Sequence, residues 1–132
     1  MVASFFKINP RSIVPKGWGD YGVILQQGMT AHLPRVDGKL ALERAGPHIP
    51  PITLPGLGDI VPTSEARRLL ESSGLSGFSF RQVEKVLIVE LHCELWNLDA
   101  NEPAQYPESG EAEDYILDQP QSQTAANALG DL

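Results

Sequence analysis

The chain has 132 residues, 42% of them hydrophobic and 20% charged, which suits one globular domain able to bury a core without staples. Its net charge of −7 excludes a direct nucleic-acid binder, because phosphate contacts need a basic face. A single cysteine, Cys93, rules out an intrachain disulfide and points to a reduced, cytoplasmic home.

The first ten residues have no basic stretch followed by a long apolar core, so no signal peptide is expected. Residues 2–8 carry Phe5, Phe6 and Ile8 and read as a strand that Asn9-Pro10 stops. Gly17-Trp18-Gly19-Asp20-Tyr21-Gly22 reads as a loop leading into a buried strand at Val23-Ile24-Leu25. A further strand is expected over 29–33. Asp37-Gly38 is a hairpin signal, and residues 40–44 supply the returning strand. Residues 21–44 thus predict a small antiparallel meander.

Residues 45–62 hold five prolines, Pro47, Pro50, Pro51, Pro55 and Pro62, too many for a helix or a central strand. They predict an ordered, irregular crossover, with Asp59-Ile60-Val61 pairing briefly at an edge. The main helix is expected at about 64–73. Thr63 is its N-cap, Glu65 sits in the first turn, Ala66, Leu69 and Leu70 form its apolar face, and Gly74 ends it. The run Val86-Leu87-Ile88-Val89 is apolar on both faces and predicts a central strand over roughly 83–91. The fold class expected is therefore α+β, a small antiparallel sheet with one main helix at about 64–73 and an irregular Pro-rich crossover. One domain spans 1–132, with 1–98 as a β-rich core and 99–132 as an acidic segment packed on it. No run of residues approaches the ~18 apolar positions of a transmembrane helix, so no membrane partner is expected.

The motifs for chemistry are sparse. Pro55-Gly56-Leu57-Gly58-Asp59 lacks the third glycine of a dinucleotide loop and the Gly-Lys-Ser/Thr ending of a P-loop, and reads as a structural turn. His32, His48, His92 and Cys93 lack metal-ligand spacing, so no metal and no cofactor is expected. No nucleophile elbow is present. The carboxylates Glu111, Glu113 and Asp114 leave acid–base chemistry formally open, but they lie in a stretch with few apolar neighbours to tune them. An enzyme is not expected.

Charge is divided sharply along the chain. Residues 1–85 hold all ten Lys and Arg against seven acids, a net of +3. Residues 86–132 hold ten acids and no Lys or Arg, a net of −10. Aromatics are interleaved with these acids. That pairing suits a protein-binding face, in which aromatics anchor and carboxylates steer toward a basic partner. The candidate contact residues are Glu102, Tyr106, Glu108, Glu111, Glu113, Asp114, Tyr115 and Asp118.

Several phrases together carry a resemblance. They are residues 18–25, Leu42-Glu43-Arg44 before Gly46-Pro47, residues 49–53, Gly58-Asp59-Ile60-Val61, residues 71–78, residues 106–111 and Glu113-Asp114-Tyr115-Ile116-Leu117. The set resembles a family of small bacterial proteins, some of whose relatives look like immunity proteins encoded beside secreted polymorphic toxins. The resemblance spans nearly the whole chain and implies no catalytic residue. It implies tight binding of one cognate toxin, with the toxin's active site or substrate access blocked. Many intracellular toxins act on nucleic acids or nucleotides and so have basic clefts, which an acidic surface can fill. The alternative is a non-catalytic adaptor or structural subunit of another bacterial complex.

Overall fold

Strand β2, Ala41–Gly46, runs through the middle of the molecule and is buried along nearly its whole length. The computed structural model describes residues 16–30, 35, 37–46, 50–56 and 58–132. The strand expected at 2–8, the end of the one expected at 29–33, His32, His48 and Leu57 lie outside these residues.

The fold is α+β, as the sequence predicts. Helix α1, Asp20–Gln27, leads into the two-residue strand β1, Met29–Thr30, which pairs antiparallel with β2. Between them Asp37 and Gly38 both have positive φ, 55° and 71°, as a tight hairpin turn requires. The proline-rich crossover contains a second hairpin, β3 (Ile52–Gly56) with β4 (Asp59–Pro62), also antiparallel. The edge pairing expected at Asp59-Ile60-Val61 is therefore part of a two-stranded sheet, and the glycines of 55–59 serve its turn. Helix α2, Ser64–Ser72, begins where the Thr63 Oγ1 accepts from the Ala66 amide at 3.2 Å. Strand β5, Glu84–Glu90, joins β2 in parallel, and helices α3, Asp114–Leu117, and α4, Gln123–Leu129, close the chain.

Three expectations need correction. Residues 21–25 are helix, not strand. Tyr21, Ile24 and Leu25 recur at helical spacing and turn inward, while Val23 is 55% exposed. An apolar run of three was ambiguous, and the period decides it. Secondly, residues 84–90 form a strand, but it pairs parallel to β2 where the sequence predicts an antiparallel sheet, and among the described residues the sheet order is β1-β2-β5, with β2 between the other two. The two apolar faces of β5 are covered by helices rather than flanked by strands: Ile88 packs on Ala125, Ala126 and Leu129 of α4, and Val89 packs on Ile116 of α3. The β5 register slips by one residue at Val86, which is left without a Cα partner and 41% exposed. The strand also stops at Glu90, because His92 takes a left-handed conformation that starts a 3-10 turn at Cys93–Leu95. Thirdly, α2 does not lay Leu69 on the sheet. Ala66 is its buried residue, Leu70 is half-buried and Leu69 is 66% exposed.

Among the described residues most buried apolar side chains gather in four clusters, and each takes at least one member from residues 115–132. Tyr115 joins Trp18, Leu25 and Cys93, and Ile116 joins Met29, Ala45 and Val89. Leu132 joins Leu40, Leu42 and Val61, and α4 covers Ile88. Full burial of a side chain such as Ile116 contributes roughly 1.5–3 kcal/mol. The acidic segment is thus a structural part of the core.

Gln26, Arg44 and Thr53 are the buried polar residues among those described. Arg44 of β2 is fully buried, and its guanidinium donates to the Gln26 carbonyl at 3.2 Å and to Thr53 Oγ1 at 3.3 Å. Gly28, with φ of 68°, ends α1 directly against this residue, where an added Cβ would lie 2.6 Å from the Arg44 Cβ. Both the backbone conformation and the space require glycine there. Gly28→Ala is expected to destabilise the protein by roughly 2–4 kcal/mol. Gly74→Ala, at φ of 80° but with open space around it, should cost only about 1 kcal/mol. Urea denaturation of the two variants checks the difference.

Candidate functional site

The acidic segment begins where β5 has turned back, and aromatic side chains fix its path. Five rings form a chain from the interior to the surface. Trp18 meets Trp96 with centroids 6.4 Å apart, and Trp96 meets Tyr115 at 6.1 Å. Tyr115 meets Tyr21 edge-on at 5.9 Å, and Tyr21 meets Tyr106 edge-on at 5.0 Å. Edge-to-face contacts of this kind add about 0.5–1.5 kcal/mol each beyond their buried area.

The polar ends of the same rings hold the loop. Trp18 Nε1 donates to the Ala100 carbonyl at 2.8 Å, the Tyr115 hydroxyl donates to the Gln105 carbonyl, and the Tyr21 hydroxyl donates to the Gly110 carbonyl. Residues 100–110 have almost no regular structure, so these bonds satisfy backbone groups that no helix or strand supplies. Ser109 Oγ continues the path, donating to Asp114 Oδ2 at 2.5 Å and accepting from the Glu111 amide at 3.1 Å.

On this frame Glu102, Glu108, Glu111, Glu113 and Asp118 are exposed, and Asp114 is half-buried. The ion pairs among the described residues are Arg35–Asp59, Arg67–Glu71 and His92–Glu90. None of them draws on an acid of the 102–118 segment. The charge there faces solvent.

The two tyrosines proposed as anchors part company. Tyr106 is 49% exposed, lies against Tyr21 and donates to Glu102 Oε2 at 3.3 Å. Lost hydration, then the Glu102 charge and hydrogen bond, raise its phenol pKa above the usual value. Tyr115 is 4% exposed, so its ring belongs to the core and is no contact for a partner. It occupies helix α3 one residue before the fully buried Ile116, and the Ala112-Tyr115-Ile116 spacing of that turn was the signal for its inward face. Asp114 likewise serves the Ser109 turn as well as the surface. Among the described residues no group of three or more His, Cys, Asp or Glu could hold a metal ion, and no helix is long and apolar enough to cross a membrane.

Sequence reasoning missed a different feature altogether. A cleft walled by Arg35, Arg67 and Arg81 opens among β4, α2 and residues 79–83. The three arginines are far apart in sequence and carry no motif.

Comparison with protein-family models, with curated proteins and with solved structures gives no match to this chain.

The two tyrosines give opposite stability predictions. Tyr115→Ala should cost about 3–5 kcal/mol, as core aromatic truncations do. Tyr106→Ala should cost about 1 kcal/mol or less, as surface changes do. Thermal and urea denaturation check both.

A pH dependence follows from Tyr115. Burial first, then Tyr106, Tyr21 and Cys93, push its phenol up to about 12. The folded state holds this proton more tightly than the unfolded chain, which releases it near pH 10. The resulting stability is complete below about pH 10 and is lost as pH rises toward 12. Arg44, lowered by burial to about 10, acts in the opposite sense over the same range. Comparison of the parent with Tyr115→Phe cancels the Arg44 contribution. The stability gap between the two should shrink across this range, as read from urea midpoints at stepped pH.

Proposed function

We propose that this chain is a non-catalytic binding protein of the toxin-immunity kind, which neutralises a cognate bacterial toxin in the cytoplasm by covering a basic active cleft. The observation that carries this reading is the acidic segment, exposed in its charges and tied at its backbone by hydrogen bonds to the carbonyls of residues 100, 105 and 110. A solvating tail would have no reason to be tied down by Trp18, Tyr21 and Tyr115. A binding surface gains from it, since a loop already held in one shape loses less entropy on association.

The division of labour is physical. Glu102, Glu108, Glu111, Glu113 and Asp118 supply the field that draws in a basic surface, and Tyr106 supplies apolar contact area beside them. Asp114 contributes charge while it holds the turn through Ser109. Carboxylate catalysis uses groups shielded from water, whereas Glu111 and Glu113 are exposed, which favours binding over an enzyme. The immunity reading further draws on the resemblance carried by residues 18–25, 71–78 and 106–117.

The test begins with capture of the partner from cells that make the chain and its identification by mass spectrometry. Association kinetics are then measured with Glu108, Glu111 and Glu113 all changed to Lys. These side chains are exposed, so folding should be intact. Steering by charge raises association rates by about 10–1,000-fold, and the triple variant should lose most of that. Raising salt from 0.1 to 1 M shortens the Debye length from about 10 to about 3 Å and should slow the parent in the same way, with a smaller effect on dissociation. A partner that binds the variant as fast as the parent, with no salt effect, would remove the acidic segment from the interface. A captured partner that is a scaffold rather than a toxin would favour the adaptor reading.

A further inference from the structure

The cleft noted above has the opposite electrical character to the acidic segment. It has a volume of about 220 Å³ and lies among β4, α2, the Asp37-Gly38 turn and residues 79–83. Three of the chain's ten Lys and Arg residues stand in its wall with one acid, Asp59. Arg35 is already paired with Asp59. The other two are less well satisfied. Arg67 Nε is buried without a hydrogen-bond partner, and its ion pair with Glu71 is long, at 4.0 Å. Arg81 is exposed, and its Nη1 stands over the turn, 3.2 Å from where a Cβ on Gly38 would be.

A guanidinium N–H without a hydrogen-bonded oxygen, in a side chain that is only partly buried, is an open half of a hydrogen-bonded pair. Arginine matches planar or tetrahedral oxyanions two bonds at a time, which lysine does not. The rest of the wall mixes the polar Ser79 and Gln82 with apolar residues: Leu132 is buried, and the half-buried Phe80 ring is held edge-on by Phe78 with centroids 5.3 Å apart. The volume falls short of the roughly 300–1,000 Å³ of sites for drug-sized ligands, so the ligand is small.

We propose that this cleft is a binding site for a small organic oxyanion, a carboxylate or phosphate borne on a flat ring, with Arg67 and Arg81 taking the oxygens and Phe80 taking the ring. The site is built from residues 35–83 with Leu132 and shares none of the acids of the 102–118 segment, so it stands or falls apart from the toxin-binding reading.

The test is an NMR titration of the full chain labelled with ¹⁵N, following the arginine Nε–H signals. The probes are benzoate, phenyl phosphate, the neutral benzamide and inorganic phosphate. Benzoate or phenyl phosphate should shift the Arg67 signal and slow its exchange with water, saturating in the millimolar range or below. Benzamide should leave it unmoved, and inorganic phosphate should bind at least tenfold more weakly than phenyl phosphate for want of a ring. Arg81→Gln, at an exposed position, should keep the fold and weaken binding tenfold or more. Arg67→Gln should do the same, and if it fails to fold Arg81→Gln alone decides. The proposal is overturned if neither ring-borne anion gives a saturable shift at millimolar concentration, if benzamide shifts the signal equally, or if Arg81→Gln binds like the parent.

Discussion

The Arg44 guanidinium is the polar contact on which the arrangement around β2 turns. Burial of a charge costs several kcal/mol unless its donors are met, and here they are met by groups from three directions. The Gln26 carbonyl comes from the last turn of α1, where carbonyls lack helical partners and the helix dipole is negative. Thr53 Oγ1 comes from β3 and donates in turn to the Val61 carbonyl of β4 at 3.4 Å. The third acceptor is the adjacent Ala45 carbonyl at 3.4 Å. Desolvation lowers the Arg44 pKa to about 10, still well above neutrality, so the charge is retained and the acceptors must stay in place. Helix α1 and both hairpins are therefore positioned against one buried side chain, and Gly28 is glycine because the chain must pass so close to it.

Coverage of β5 poses a second constraint. Among the described residues β5 has a strand on one side only, which leaves backbone groups on its other side to be met. The chain after Pro120 closes part of that edge. The Ile88 amide donates to Gln121 Oε1 at 2.7 Å, and the Ile88 carbonyl accepts from the Ser122 amide at 2.8 Å. Lys85 Nζ reaches the Ala126 and Gly130 carbonyls at 2.8 and 2.7 Å, a cation placed at the C-terminal end of α4. A segment whose composition suggests a soluble tail thereby becomes the cover of the sheet, and its acids are presented from a fixed surface.

These two constraints separate the charges in space. The acids of 102–118 are carried on a loop that aromatic rings pin in place, and the arginines of the cleft gather where β4, α2 and residues 79–83 meet. A chain of net charge −7 thus keeps a local basic site, and a single net charge would misdescribe either face.

The sequence alone determined the elements whose signals are local. Thr63 capping α2, the Asp37-Gly38 turn and a strand at the apolar run of β5 each follow from the chemistry of a few neighbouring residues and are found, although the place expected for that strand in the sheet is not. The helical period of Tyr21, Ile24 and Leu25 was also present in the sequence, though the short apolar run hid it. Tertiary structure decided the rest. Strand order could not be read, because Val86-Leu87-Ile88-Val89 is equally apolar whether strands or helices cover it, and α4 covers Ile88. The choice of Tyr115 for the core and Tyr106 for the surface depends on Trp96 and Tyr21, each distant in sequence from at least one of them. The cleft depends on Arg35, Arg67 and Arg81 being brought together by a crossover whose prolines forbade any regular periodicity from announcing it. Local propensity acts over a few residues, whereas burial and charge at a site are sums over whatever the fold places nearby, and that sum exists only once the chain has folded.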